Sequence, residues 1–366
     1  MEEKIEEIMK QYPVRLVAKR RIRGAILLET KEGLFSLQQY QDSIKKLEFQ
    51  EQVKQIIEES GYTYIDTGIP NETGELLTKD GRGNRWLLKK WFRARECNLY
   101  DENDIEPAVR HLAKLHNIMQ VPSYPESGEM MPLPKTEKEV SETEKVMSET
   151  EKEVSKIEKV MPESKSVTQA MERHIREMKR VYNYIRNKKQ RNEMELCILQ
   201  LFPEFYEQAG SVQEYFSKID CDSLWQNCIH QGRVYHGNYN YHNVLFQEKQ
   251  IVTTNFEGAG LGIQITDLYD FLRKIMEKNN WDTKQGIKIL DSYCQVRMMQ
   301  KEEAAFLYLL FLFPEKFWKQ INFYYNGKKS WMSVKNYDKL LKIKEQEQKR
   351  RKFLTEAKGL LFYSGL

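Results

Sequence analysis

Residues 234–246 read VYHGNYNYHNVLF. Phosphoryl-transfer loops of kinases follow H-x-D-x-x-x-x-N, where the Asp accepts the proton of the attacking hydroxyl and the Asn holds magnesium. His236, Gly237 and Asn243 stand at those spacings, and the Asp position is Asn238. A carboxamide nearly matches a carboxylate in shape, but it carries no charge and takes up no proton near neutral pH. Asn238 can therefore position a hydroxyl without activating it. General-base catalysis is worth roughly 10²–10⁴-fold, so this loss alone leaves room for slow chemistry.

The metal position is altered as well. NVLF (243–246) and QIVTTNF (250–256) are β-prone runs joined by the polar turn QEK. In kinase-like folds the second strand of such a pair delivers the metal-binding Asp of D-F-G. Here that place is Asn255, followed by Phe256. Magnesium prefers anionic oxygens and sheds water reluctantly, so a neutral carboxamide is a poor replacement. Glu257 is close enough in sequence to offer a substitute carboxylate. In TDLYDFLRKI, Asp267 heads a helix, where it caps the helix or anchors the loop. His236 is expected to be structural, hydrogen-bonded near the loop backbone. His116 and the tyrosines at 235, 239 and 241 are read as packing groups. KRRIRG (19–24) lacks the glycines of G-x-G-x-x-G and reads as a solvated strand and turn, with anion contact as the alternative.

These residues need a frame, and the flanking sequence supplies one. Residues 14–40 alternate β-prone runs with turns (VRLVAKR, GAILLET, LFSLQQY), predicting three antiparallel strands. A helix follows over 43–61, with Leu47, Val53, Ile56 and Ile57 at helical spacing and Gly61 as its stop. Two further runs, YTYIDTG and RWLLKKW, complete a small lobe of about five strands and one helix. Residues 103–119 predict a helix capped by Asp104, with Ile105, Ala108, Leu112 and Leu115 on one face. From about 166 onward the chain reads as mainly helical.

Between these parts the composition breaks. TEKEVSETEKVMSE (136–149) recurs as TEKEVSKIEKVMPE (150–163), identical at eleven of fourteen positions. Val140, Met147, Val154 and Met161 repeat every seven residues, but their companions are Thr143, Thr150 and Ile157, a thin seam for a coiled coil. The segment reads as a solvated, partly helical insert, with a partner-binding insert as the alternative. Residues 173–191 hold eight Lys or Arg and read as a solvated helix face, with an acidic partner as the alternative.

Composition narrows the class further. With 40% apolar residues, 366 residues can bury a full core, and a net charge of +4 against 58 basic and 54 acidic residues is no polyanion-binding balance. No apolar run is long enough to span a bilayer, and the N-terminus lacks the pattern of a signal peptide. Five cysteines without a C-x-x-C pair read as buried thiols in a reducing compartment. An intracellular protein is expected, with no nucleic-acid partner and no membrane span.

At the loop and well beyond it, the chain resembles the CotS-type spore coat proteins, relatives of the choline kinase and aminoglycoside phosphotransferase group. KRRIRGAILLET, PNETGELLTKDGRGNRWLLKKWFRARE, AVRHLAKLH, RHIREMKRVYNYIRNKKQRNEMELCILQLFPEFYEQA and KSWMSVKNYDKLL carry the resemblance in order and spacing. Only about 122–165 falls outside it. The resemblance implies an α+β, bilobal protein kinase-like fold. Its expected organisation is an N-lobe over 1–92, the start of the C-lobe over 93–121, the insert over 122–165, and a helical C-lobe over 166–366.

Active relatives have H-G-D where this chain has His236, Gly237, Asn238, and I-D-F where it has Thr254, Asn255, Phe256. They carry a strand lysine where it has Leu37, Gln38. The resemblance therefore implies a degenerate kinase: Asn238 at the base position, Gln38 at the phosphate-lysine position, and Asn243 and Asn255 at the metal positions. No catalytic, cofactor or metal site is expected, with Glu257 as a possible substitute ligand and Asp267 as a structural anchor. The expected role is a scaffold or binding protein among other spore coat proteins, made in the mother-cell cytoplasm. The alternatives are an active small-molecule phosphotransferase, which would need ATP and magnesium, and a nucleotide-binding pseudokinase.

Overall fold

The computed structural model of the protein describes residues 2–122, 164–216, 219–326 and 334–363. The repeat at 136–163, and with it the seven-residue seam, lies outside the described residues. Two compact units emerge: residues 1–121 with 236–259, and residues 122–235 with 260–366.

The first unit is built on a five-stranded antiparallel sheet. Its strands are β1 (Leu16–Ile22), β2 (Ala25–Thr30), β3 (Leu34–Gln39), β4 (Leu77–Lys79) and β5 (Arg85–Lys90), in the order β1-β2-β3-β5-β4. β3 and β5 pair Leu37 with Leu88 and Gln38 with Leu87. Because successive side chains alternate between faces, Leu37 and Leu88 share one face and Gln38 and Leu87 the other. The first face packs with Leu28 against α1 (Glu2–Met9) through Ile5, Ile8 and Met9, joined by Tyr12. The second meets α2 (Ile44–Glu59), where Leu47, Tyr40 and Leu87 form a small cluster. Ser43 caps α2 by accepting the Lys46 N–H at 3.2 Å, and Gly61 takes φ +90° just beyond its end.

Two expectations are corrected in this unit. YTYIDTG is not a strand. Its backbone is split between two neighbours, with single bridges from Ile65 to Thr253 and from Gly68 to Lys89, so no ladder can form. The fifth strand is β4, in the stretch between YTYIDTG and RWLLKKW. Asp104 does not cap α3 (Glu102–Ile118): Asp101 does, accepting the Asn103 N–H at 2.9 Å. Asp104 is instead buried and ion-paired with Arg95, whose Nη2 lies 2.7 Å from Oδ1. The expected face of α3 (Ile105, Ala108, Leu112 and Leu115) is fully buried, as is His116. A three-stranded sheet, β6 (Arg95–Glu96), β8 (Val244–Gln247) and β9 (Gln250–Thr253) in the order β6-β8-β9, carries the loop of interest.

The second unit is mainly helical. Its helices are α4 (Ser164–Arg186), α5 (Glu193–Phe216), α6 (Cys221–His230), α7 (Ile265–Lys278), α8 (Thr283–Cys294), α9 (Lys301–Leu312), α10 (Glu315–Asn326) and α11 (Val334–Tyr363). A short pair, β7 (Val234–Tyr235) with β10 (Gly260–Leu261), completes it. The apolar run FLYLLFLF forms most of α9, which is buried on every side, as a helix without a polar face must be. Arg350 of α11 donates to the orphan carbonyls of Phe311 and Leu312 at the end of that helix, at 2.7 and 2.9 Å. No helix among the described residues is long and apolar enough to cross a membrane.

Candidate functional site

The loop after β7 is held by its own backbone and by three asparagines. His236 is fully buried, and its Nδ1 accepts the Asn238 N–H at 3.1 Å, which fixes the turn. Gly237 has φ +71°, and a Cβ there would overlap the Gly258 carbonyl oxygen. Only glycine allows the two loops to approach so closely. The Asn238 carbonyl accepts Asn243 Nδ2 at 2.8 Å and Asn240 Nδ2 at 3.0 Å. Asn240 Nδ2 also reaches Asn238 Oδ1 at 2.8 Å, so that oxygen already has a donor. Buried Tyr239 donates to the Ala108 carbonyl at 2.7 Å, tying the loop to α3.

The second loop lies against the first. Thr254 N–H donates to the Asn243 carbonyl at 2.9 Å. Asn255 sits in the left-handed region at φ 66°, ψ 63°, which asparagine tolerates better than most residues. Its N–H donates to Asp66 Oδ2 at 2.9 Å, and its buried Oδ1 has no hydrogen-bond partner among the described residues. Phe256 is buried, its ring centre 5.9 Å from Lys54 Nζ.

Around Asp66 lies a buried ionic cluster. Lys89 Nζ is 2.9 Å from Asp66 Oδ2, and Lys54 Nζ donates to Glu51 Oε1 at 2.7 Å and to the Asp66 carbonyl at 2.9 Å. Burial pushes the Asp66 carboxyl upward, but Lys89 and Lys54 outweigh it and hold the group below its ordinary value. Burial likewise lowers Lys54, and Asp66 with Glu51 reverses the sign, leaving it raised. Both groups stay charged, which is the condition for burying them at all.

Gln38 sits on β3 and donates through Nε2 to Glu257 Oε1. Gln50, buried on α2, donates to the Glu257 carbonyl at 3.3 Å. Active kinases need an ion pair between a strand lysine and a helix glutamate. Here strand and helix each present a carboxamide, and both converge on Glu257. Asp267 lies in the second unit, buried in the first turn of α7, whose N-cap is Gln264. No group of three or more metal-ligating side chains forms among the described residues.

The sequence reading brought Gln38, Asn238, Asn243, Asn255 and Glu257 to attention, and all five lie in the first unit. It missed Gln50, Lys54, Asp66 and Lys89. Gln50 and Lys54 do fall on the helical stripe of Leu47 and Ile57, and polar residues on an apolar stripe are a readable signal. Asp66 and Lys89 gave none, being spread over a presumed strand and a basic run.

The five-stranded sheet, the mainly helical second unit and the loop pair make up a protein kinase-like fold. A crystal structure of an aminoglycoside phosphotransferase from Alicyclobacillus acidocaldarius matches with a TM-score of 0.79 at 14% identity, covering 97% of this chain and 96% of that one. Spectinomycin phosphotransferase APH(9)-Ia matches at 0.59 and 12%, covering 96% and 98%. A microcompartment-associated aminopropanol kinase matches at 0.57 and 10%, covering 98% of each chain. At such identities the likeness concerns fold alone. No curated protein matches the chain. The model of the family described as "Spore coat putative kinase YutH" matches residues 134–357, and the chain belongs to that family.

Proposed function

We propose that the protein is a non-catalytic member of its spore coat family, a kinase-like fold working as a scaffold or binding component among other coat proteins. One observation carries this reading: Gln38 and Gln50 both converge on Glu257. The strand residue that would hold nucleotide phosphates is a neutral amide, and Glu257, the carboxylate next in line to replace the metal ligand, is already its acceptor. Magnesium and ATP do not fit this donor set. Asn255 and Asn238 are neutral, and the cations nearest the corner, Lys54 and Lys89, are neutralised from within by Glu51 and Asp66. Uncompensated nucleotide phosphates would meet Lys54 and Lys89 already paired with carboxylates.

The competing reading is an active phosphotransferase in which Glu257 serves the metal. It is favoured by the retained Asn243 and the unpartnered Asn255 Oδ1 beside it. Thermal unfolding of the purified protein with ATP, with and without magnesium, separates the readings. We expect no shift, and no phosphate transfer to choline, aminoglycosides or sugars. A magnesium-dependent shift without turnover would favour a nucleotide-binding pseudokinase. Turnover that disappears in Glu257→Gln would overturn the proposal.

A further inference from the structure

KRRIRG (19–24), which the amide site does not use, forms most of an outer strand and its turn in the first unit. The five-stranded sheet has two outer strands, β1 and β4. β4 is three residues long, whereas β1 runs for seven, the longest strand of that sheet. On one side β1 pairs with β2, from Leu16 against Thr30 to Ile22 against Ala25; on the other it pairs with no strand among the described residues. An open edge offers backbone N–H and C=O groups to any extended chain, and native sheets guard it with short strands, proline or charge. Brevity guards β4. β1 has neither brevity nor proline, only charge.

The ladder register fixes where those charges stand. Lys19 and Arg21 pair with Leu28 and Ile26, so they share the sheet face that packs on α1. Arg20 pairs with Leu27 and stands on the opposite face. Lys19 Nζ lies 3.9 Å from Glu6 of α1. Arg20 and Arg23 are exposed, and neither has a carboxylate at ion-pair distance among the described residues. At the start of the strand a bulge between Leu16 and Ala18 leaves Val17 outside the ladder and 63% exposed.

Charge selects the occupant of this edge. Like charges directly opposite one another destabilise a ladder, so the arginines of one β1 repel the β1 of a second copy. An acidic strand meets the reverse situation, because the planar fork of Arg takes a carboxylate through two hydrogen bonds. We propose that the outer edge of β1 docks an acidic, extended protein segment by strand addition. The backbone of the segment pairs along Ala18–Ile22, its carboxylates meet Arg20 and Arg23, and a β-branched side chain covers Val17. Main-chain hydrogen bonds supply affinity in this mode, and alternate side chains supply specificity. A nucleic acid or a lipid surface would use the cations but has no strand backbone to pair with the edge. The inference rests on the reading of the protein as a binding component, but its test does not pass through the amide site.

Fluorescence anisotropy of the full chain with a short labelled peptide of glutamate, threonine and valine reads the docking directly. Arg20→Glu with Arg23→Glu should weaken binding by about tenfold or more, and thermal unfolding of that variant should match the unaltered protein. N-methylation of two adjacent central amides of the peptide keeps every charge but removes a donor from whichever edge faces β1, and should weaken binding by about fivefold. As a measurement without substitution, saturating peptide should slow amide hydrogen exchange within residues 16–22 and leave β4 unchanged. No peptide binding, or exchange in β1 that the peptide leaves unaltered, overturns the proposal. So does binding that is lost in the charge variant but indifferent to N-methylation, which would reduce the edge to a patch of charge. Tighter binding to duplex DNA or phosphatidylglycerol vesicles than to the peptide would also overturn it and assign the strand to a polyanion. Turnover with ATP would sink the proposed function and leave this result standing.

Discussion

Asn238 and Asn255 differ from the aspartates of working phosphotransferases by an amide nitrogen in place of an oxygen, and that exchange removes charge while keeping shape. Repair should therefore work only in combination. Asn238→Asp alone should give no magnesium-dependent thermal shift with ATP, because the metal position is still neutral. Gln38→Lys, Asn238→Asp and Asn255→Asp together should give one, since on the proposed reading they supply the cation, base and metal ligand that phosphoryl transfer needs. A new lysine at 38 would lie beside the Glu257 carboxylate, so adding Glu257→Gly should enlarge the shift. A triple variant that stays silent would mean that side chains fill the place of the nucleotide. At Asp66 the expectation concerns stability. Asp66→Asn leaves Lys54 and Lys89 buried without their shared counter-charge, which costs about 3–5 kcal/mol in urea unfolding. A loss under about 1 kcal/mol would show that the cluster is hydrated in solution.

The elements around the loop carry a pH signature. His111, on α3, is buried, and its Nε2 lies 2.9 Å from Thr253 Oγ1 on β9. Burial, with Lys114 nearby, pushes its pKa down to about 3. The folded chain therefore holds His111 neutral, while the unfolded chain protonates it below about 6.5. Its contribution to stability is present above that value and is lost as the pH falls toward the folded pKa. Between pH 7 and pH 5 the loss from this one group should be about 2 kcal/mol. Asp66 adds no slope in that window, because its depressed pKa places its loss below the ordinary carboxylate range. Urea unfolding at the two pH values, compared with His111→Gln, isolates the effect. An unchanged slope in the variant would assign it elsewhere.

Across the whole molecule, the cysteines report on both units. All five are free; Cys97, Cys197, Cys221 and Cys228 are buried, and Cys294 is half-buried. Burial raises every one of these thiols, Cys97 and Cys221 to about 12, Cys228 and Cys294 to about 11. Thiolate is the reactive form, so the native protein should react only slowly with Ellman's reagent near pH 8. In denaturant all five thiols should titrate at once. Fast native reaction of one thiol would mark the unit that opens locally, because Cys97 lies in the first and the other four in the second.

By itself, the sequence determined the three-strand start, the helices at 44–59 and 102–118, the hairpin behind the loop, and the kinase-like class. Those features rest on short-range pattern: alternation in β2 and β3, the spacing of Leu47, Val53 and Ile57, a glycine after a helix, and the H-G-N-x-x-x-x-N run itself. Tertiary structure alone decided the fate of YTYIDTG, whose periodicity suits a strand but whose backbone is claimed by two neighbours at once. It also decided the cap of α3, because Asp101 and Asp104 are equally good caps in sequence and only Arg95, brought close by β6, draws Asp104 away. The partners of Gln38 and Asn255 lie 219 and 189 residues away in the chain, beyond the reach of any local pattern. Spacing places the amides, but only folding brings Glu257 to Gln38 and two lysines to Asp66, because charge and hydrogen bonding act through space.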